Sequence, residues 1–449
     1  MAKRHLLILG LLLAGGALSS ACSDAKIVTI GDGDAGAAGE AGSKSDAGAT
    51  GEAGSKGDAG SKGDAGAGGV GGVGGEGGEG GEAPAPWLNP QAVVVIGPAP
   101  TTSTRLLVGA SDYTTGKGEI VSITLASGAV GDSTTYADSD LVATSSAGVG
   151  FAIERTNDKV HLLDGGKIST TFDLKDPGAD TAPVDSKAYV PLLNQSTIVI
   201  LDLAEGKVSR RVDLNEFNVP GDSDHSADIA EGVYEPNNKI AYFLLQRIDR
   251  PSINASSNFT LPCSESRGLI VGIDTETDEV VDLNGNGSGK GIELKLVNPR
   301  SLSVNSDGTT LYLLADGCYE GSNKVQQGVE VVDLTDGTTT VAYEAEGTRY
   351  LGSLILTGGE EALINSYDLG VPYGTYWTKL KLAAGTLGAE LANVPAAVSF
   401  DGTDLLGVEV TGKVGKVVRY KLATETSTTV SATSWAGEFS SASSTALVQ

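Results

Sequence analysis

The sequence predicts an all-β chain, built as an array of seven four-stranded units, behind an N-terminal segment that is not part of the fold. Three observations carry this. First, one hairpin keeps returning: an apolar residue, a polar residue that is often Asp, a turn, then a second extended run. Copies occur at Ile123-Thr124-Leu125, Leu163-Asp164-Gly165, Leu201-Asp202-Leu203, Ile273-Asp274-Thr275, Val332-Asp333-Leu334, Leu380-Lys381-Leu382 and Tyr420-Lys421-Leu422. Second, the steps between their middle residues are 40, 38, 72, 59, 48 and 40, a period near 40 with long insertions, as in repeat arrays whose units bury their faces on one another. Third, from about Trp87 no stretch holds a helical period for three turns. Short runs of Val, Ile, Leu, Thr and Tyr alternate with Gly, Asp, Asn and Ser turns instead, which is the all-β pattern.

The N-terminal segment reads as targeting and tether. Lys3, Arg4 and His5 precede an apolar run, Leu6 to Leu13, that is too short to span a bilayer. Small residues then lead to Cys22. The run Leu18-Ser19-Ser20-Ala21-Cys22 resembles the lipobox of a bacterial lipoprotein signal. Residues 1–21 are therefore expected to be removed and Cys22 acylated, with several chains on one residue giving a stable anchor. Ordinary secretion is the alternative. Residues 22–86 form a linker. Gly stands at 33, 36, 39 and 42, then at every third position from 48 to 81, with Ser45 as the break. The spacing resembles a collagen-like repeat, in which only Gly fits at the axis of three chains. The tract has no Pro, and Ser-Lys-Gly-Asp-Ala-Gly at 55–60 and 61–66 supplies charges that could pair between chains. A flexible stalk and a trimeric one both fit. Ala83-Pro84-Ala85-Pro86 stiffens the exit into the domain at 87–449.

Within that domain one unit shows the design. Ser301–Val304 is a strand, Asn305-Ser306-Asp307-Gly308 a hairpin turn and Thr310–Leu314 the second strand. Gly328–Leu334 is the third, Thr335-Asp336-Gly337 a turn and Thr338–Tyr343 the fourth. The stretch Pro299–Gly308 followed by Val331-Val332-Asp333 resembles the YVTN-type, YncE-like β-propeller repeat, and Ala397–Gly402 keeps its first turn. The resemblance implies a seven-bladed β-propeller, one blade per hairpin. Ring closure is expected between Ser443–Val448 and an N-terminal run such as Val93–Ile96, which protects the sheet edges. Blade order puts second-to-third strand loops and unit-to-unit loops on one face. The long insertions 246–267, 316–327, 366–376, 215–229 and 284–299 are all expected there, and loops on a rigid scaffold carry function.

Charge and motifs bound the chemistry. The formal net charge is −26, and losing Lys3 and Arg4 with the leader makes it −28. Nucleic acid and anionic lipid headgroups are excluded as partners by repulsion. Cys263 and Cys318 lie in equivalent loops of consecutive units, so in an exported protein they are expected to pair. Two free buried thiols are the alternative. Asp282, Asn284, Asn286, Ser288 and Glu293 match the oxygen spacing of a calcium loop, with Gly287 at the sharp turn. Lys290 and the strand-like flanks favour an ordinary Asn/Gly turn instead. The acidic set Asp222, Asp224, His225 and Asp228 reads as a solvated loop. His161 alternates with apolar residues and reads as packed. There is no nucleophile–base set, no P-loop and no dinucleotide fingerprint, so no catalytic residue is assigned. The expected protein is a lipoprotein of the bacterial cell envelope, at the outer membrane or cell surface, held to the membrane by its lipid alone. Its propeller binds a protein or small ligand on the insertion-rich face, and calcium is the one cofactor suggested. A propeller hydrolase of the lactonase type and a structural surface component trimerised through its stalk are the other two readings.

Overall fold

In the computed structural model the described residues are 87–449, except 98–101, 114, 180–181, 221–223, 250–260, 262, 264–266, 286, 288, 321–322, 348, 359, 369–373, 396, 412–413 and 435–440. The leader, Cys22 and the Gly-rich tract lie outside them. The described chain is a seven-bladed β-propeller with no α-helix. Each blade is an antiparallel sheet of at least four strands, here named inner, second, third and outer. All seven recurring hairpins of the sequence are the turn from third to outer strand. In blade 2, for example, strands 159–164 and 167–173 flank it, and in blade 7 strands 414–421 and 426–434 do.

The Asp of the hairpin motif has a local job. Asp202 Oδ1 accepts the N–H groups of Ala204 and Glu205, both at 3.0 Å. Asp274 Oδ1 accepts those of Glu276 and Thr277 at 2.7 and 3.1 Å. Asp333 accepts that of Thr335 at 2.8 Å. The side chain closes the turn on its own backbone. Lys381 and Lys421 cannot accept, and their turns close through backbone carbonyls of Leu382 and Lys421.

In the second and third strands apolar side chains leave alternately to both neighbouring blades, so both faces are buried there, whereas outer strands such as 130–136 and 386–391 are mostly exposed. In strand 197–202, Ile198 and Ile200 join a core with Val94, Ile229, Phe243 and Val271 of blades 3 and 4. Val199 and Leu201 join Phe151, Ile153 and Val160 of blade 2. In strand 105–112, Leu106 and Val108 meet Leu406, Val408 and Val417 of blade 7, whereas Leu107 meets Leu141 and Ala143 of blade 2. This is why stretches such as Leu106-Leu107-Val108 and Ile198-Val199-Ile200-Leu201 read as unbroken apolar runs. A slip of one residue would exchange the two cores, each of whose large side chains contributes about 1.5–3 kcal/mol.

Closure differs from expectation and uses both chain ends at separate blades. The C-terminal strand, Ser441–Val448, is the inner strand of blade 1, where it pairs with Arg105–Asp112. Val94 and Val95 pair with Tyr189 and Ala188, so the N-terminal run supplies the inner strand of blade 3. Residues 174–179, from the stretch that would otherwise fill that slot, pass beside the outer strand of blade 3. There Ala179 N donates to Ser209 O at 3.1 Å, and Arg211 reaches the carbonyl of Asp176 at 3.0 Å. Hydroxyls stitch neighbouring inner strands together. Ser444 Oγ accepts from Ala143 N (2.8 Å), Ser146 Oγ from Val95 N (2.9 Å) and Ser301 Oγ from Leu354 N (3.2 Å). Ser399 meets Thr445 of blade 1 at 2.9 Å. Inner-strand donors that lack a ladder partner are satisfied in this way.

Candidate functional site

The insertion-rich face is organised at blades 4, 5 and 6. The second-to-third strand loop of blade 4 spans 246–268, and that of blade 5 carries a small hairpin, 318–320 paired with 323–325. Cys263 and Cys318 form a disulfide across these two loops, with Cα atoms 5.0 Å apart. The expected pairing and blade register are both met. Beneath the bridge Ile248, Leu261, Val297 and the fully buried Cys318 form a small separate core.

Beside the bridge lies a cluster that the motif reading missed. Asp316 accepts Leu351 N at 2.8 Å, and so fixes the start of the inner strand of blade 6. The same carboxylate binds Lys324 Nζ and, at 3.1 Å, Arg300. The Lys324 ammonium sits 3.8 Å from the ring centre of Tyr350 and 5.6 Å from that of Tyr319. Burial lowers its pKa, with Asp316 acting in the opposite sense. Tyr350 stacks on Tyr367 with ring centres 5.3 Å apart, and its hydroxyl meets that of Tyr319 at 2.7 Å. Burial and this hydrogen bond raise the Tyr319 hydroxyl well above its usual range. Arg349 covers the ring of Tyr376 at 3.7 Å. Tyr319, Tyr350, Tyr367 and Tyr376 are all part-exposed. A signal was there in the sequence: six of the 13 tyrosines fall between 319 and 376.

The loop read as a calcium site lies elsewhere. Strands 279–281 and 292–293 both pair with Leu269–Asp274, so they are two halves of one outer strand of blade 4. Residues 282–291 are inserted into that strand. The expected unit-to-unit loop 284–299 is therefore wrong, and the real connection is 294–298. Asp282 turns its carboxylate onto the N–H groups of Gly285 (2.9 Å) and Gly287 (2.7 Å). Asn284 donates its amide to the carbonyls of Gly289 and Gly291, both at 3.0 Å. Gly285, Gly287 and Gly289 all have φ between +66° and +71°, as such a tight coil needs. Asn286 and Ser288 lie outside the described residues. Glu293 borders a cavity of about 450 Å³ together with Arg247 and Phe217.

The remaining polar residues serve packing. Asp228 is buried and accepts Ile248 N at 2.8 Å, while Asp224 accepts Ser226 N at 2.9 Å. The set expected to be a solvated loop thus has one buried member; Asp222 is outside the described residues. His161 is buried as expected, 3.1 Å from Glu154 and 2.9 Å from Thr171. Burial opposes ionisation of Glu154, but the hydrogen bond and charge of His161, with smaller help from Asn157 and Lys159, together prevail and lower its pKa. On the inner strand of blade 4, burial pushes Glu231 up to about 7. Among the described residues no three His, Cys, Asp or Glu side chains converge as a metal ion requires.

No protein-family profile matches the sequence, and no curated protein matches it. Solved structures resemble it in fold. A 6-phosphogluconolactonase-like protein of Bacteroides fragilis is 14% identical with a TM-score of 0.47, over 79% of this chain and 100% of that one. Apo AztD of Citrobacter koseri is 11% identical at 0.41, over 77% and 98%. TolB of Acinetobacter baumannii is 12% identical at 0.41, over 77% and 67%.

Proposed function

We propose that this chain is a lipid-anchored envelope protein whose propeller binds a protein partner through the insertion-rich face at blades 5 and 6. The observation that supports the binding reading is the part-exposed tyrosine group Tyr319, Tyr350, Tyr367 and Tyr376, the first beside the disulfide on the blade 5 hairpin and the other three on strands of blade 6. Tyrosine gives large contact area with a polar tip and little rotamer entropy to lose, which suits a recognition surface. The anchor reading rests on the Lys3–Cys22 signal and the Gly-rich tether.

Two experiments test the two halves. Photo-crosslinking residues at Tyr319 and Tyr376 in intact cells should capture one discrete partner, whereas the same residue at Leu387, exposed on the outer strand of blade 6, should not. Equal capture from all three positions, or from none, defeats the face assignment. Cys22→Ser should move the protein to the soluble fraction; a variant as membrane-bound as the parent defeats the anchor.

A further inference from the structure

The cavity beside the outer strand of blade 4 pairs unmatched charges with an apolar wall. Its volume, about 450 Å³, is in the range of small-molecule sites. Phe217, Leu269 and Ile292 line it and are themselves mostly buried, at 5%, 7% and 5% exposure. Arg247, from the loop after the second strand, and Glu293, from the second half of the outer strand, border the same space. Glu293 acts on Arg247 through charge, yet among the described residues neither has an ion-pair partner. Arg247 Nε is buried without an acceptor, and one terminal nitrogen makes a single long bond, 3.4 Å, to the carbonyl of Arg267. At the rim, by contrast, Lys290 and Glu216 already pair at 3.4 Å.

A cation and an anion that share a cavity without closing on each other are complementary to a ligand carrying both charges. We propose that this cavity binds a small zwitterion of the amino-acid type, a free apolar amino acid or a dipeptide. Its carboxylate would face Arg247, its ammonium Glu293, and its side chain the Phe217–Leu269–Ile292 wall. Arginine presents a planar fork suited to carboxylates, and charge-assisted bonds are roughly twice as strong as neutral ones. The proposal stands apart from the partner-binding face and the anchor, and goes beyond both. It also uses Glu293 differently from a calcium loop, which makes the two readings separable.

The test is calorimetric titration of the full mature chain with L-leucine, L-leucyl-L-leucine, isovalerate, isoamylamine and calcium chloride. Leucine or the dipeptide should bind saturably, and isovalerate and isoamylamine, each with one charge, at least 10-fold more weakly. Arg247→Gln and Glu293→Gln should each weaken the zwitterion at least 10-fold. Arg247→Lys, which keeps the charge, should stay within about 10-fold of the parent. Glu293 is exposed, so its variant should fold and keep the test decisive if Arg247→Gln does not. No binding of either zwitterion overturns the proposal, as does binding that survives both charge removals. Calcium binding lost in Glu293→Gln, without zwitterion binding, assigns the residue to an ion and overturns it too.

Discussion

The interface between blades 3 and 4 contains a buried ion pair whose removal has a large expected cost. Asp278, in the third-to-outer turn of blade 4, accepts Lys187 Nζ at 2.6 Å. The same oxygen accepts the Tyr189 hydroxyl, and Arg210 approaches the other at 3.8 Å. The side chains of Lys187 and Asp278 are 3% and 0% exposed. Asp278→Asn keeps the shape and suits φ of +60°, since Asn tolerates that region. It leaves the Lys187 ammonium buried without a counter-charge, which costs about 3–5 kcal/mol. Lys187→Met alone leaves the carboxylate with the Tyr189 hydroxyl and the distant Arg210, and should cost about 2–4 kcal/mol by the same reasoning. The double variant removes both charges, so it should be more stable than the sum of the two losses by about 1–3 kcal/mol. Urea unfolding at neutral pH measures all four proteins. Additive losses, or a loss under about 1 kcal/mol for Asp278→Asn, would show that the pair is not buried between blades and would refute the packing argument.

Other outcomes follow from the same reasoning. Removing the Cys263–Cys318 bridge, which spans 55 residues, should cost about 2–4 kcal/mol by chain entropy; equal melting temperatures of the parent and the double Cys→Ser variant would show the bridge to be absent in solution. Glu231 rises from 4.5 to about 7 on folding, so the folded state binds the proton more tightly and stability should fall as pH rises from about 4.5 to 7. The full shift corresponds to about 3 kcal/mol, and about 1–2 is expected because the residue is part-exposed; Glu231→Gln should flatten that slope, checked by melting temperature against pH. Asp274→Ala frees two turn N–H groups and should cost about 1–2 kcal/mol, whereas Lys421→Ala, at the matching place in blade 7, should cost almost nothing in the same unfolding assay.

The sequence by itself determined the repeat, the seven hairpins and the all-β class. These depend on local chemistry: an Asp such as Asp274 closes its own turn, and alternating apolar residues such as Ile198 and Val199 announce two buried faces. The Cys263–Cys318 pairing was legible too, because equal positions in adjacent blades are neighbours once the repeat is counted. Tertiary structure alone decided the closure. The two-residue strand Val94–Val95 carries no register signal of its own; its place in blade 3 is set by its pairing with Tyr189 and Ala188 and by the cores its side chains enter, Val94 with Ile198 and Phe243 and Val95 with Phe151 and Val199. The candidate sites were hidden for a related reason. Residues 282–291 look like a connection in sequence, but Glu293 resumes the strand that Val281 leaves. Arg247 and Glu293, and likewise Tyr319, Tyr350 and Tyr367, come from separate strands and loops. Only the stacking of blades brings such residues to one place, and no local pattern encodes it.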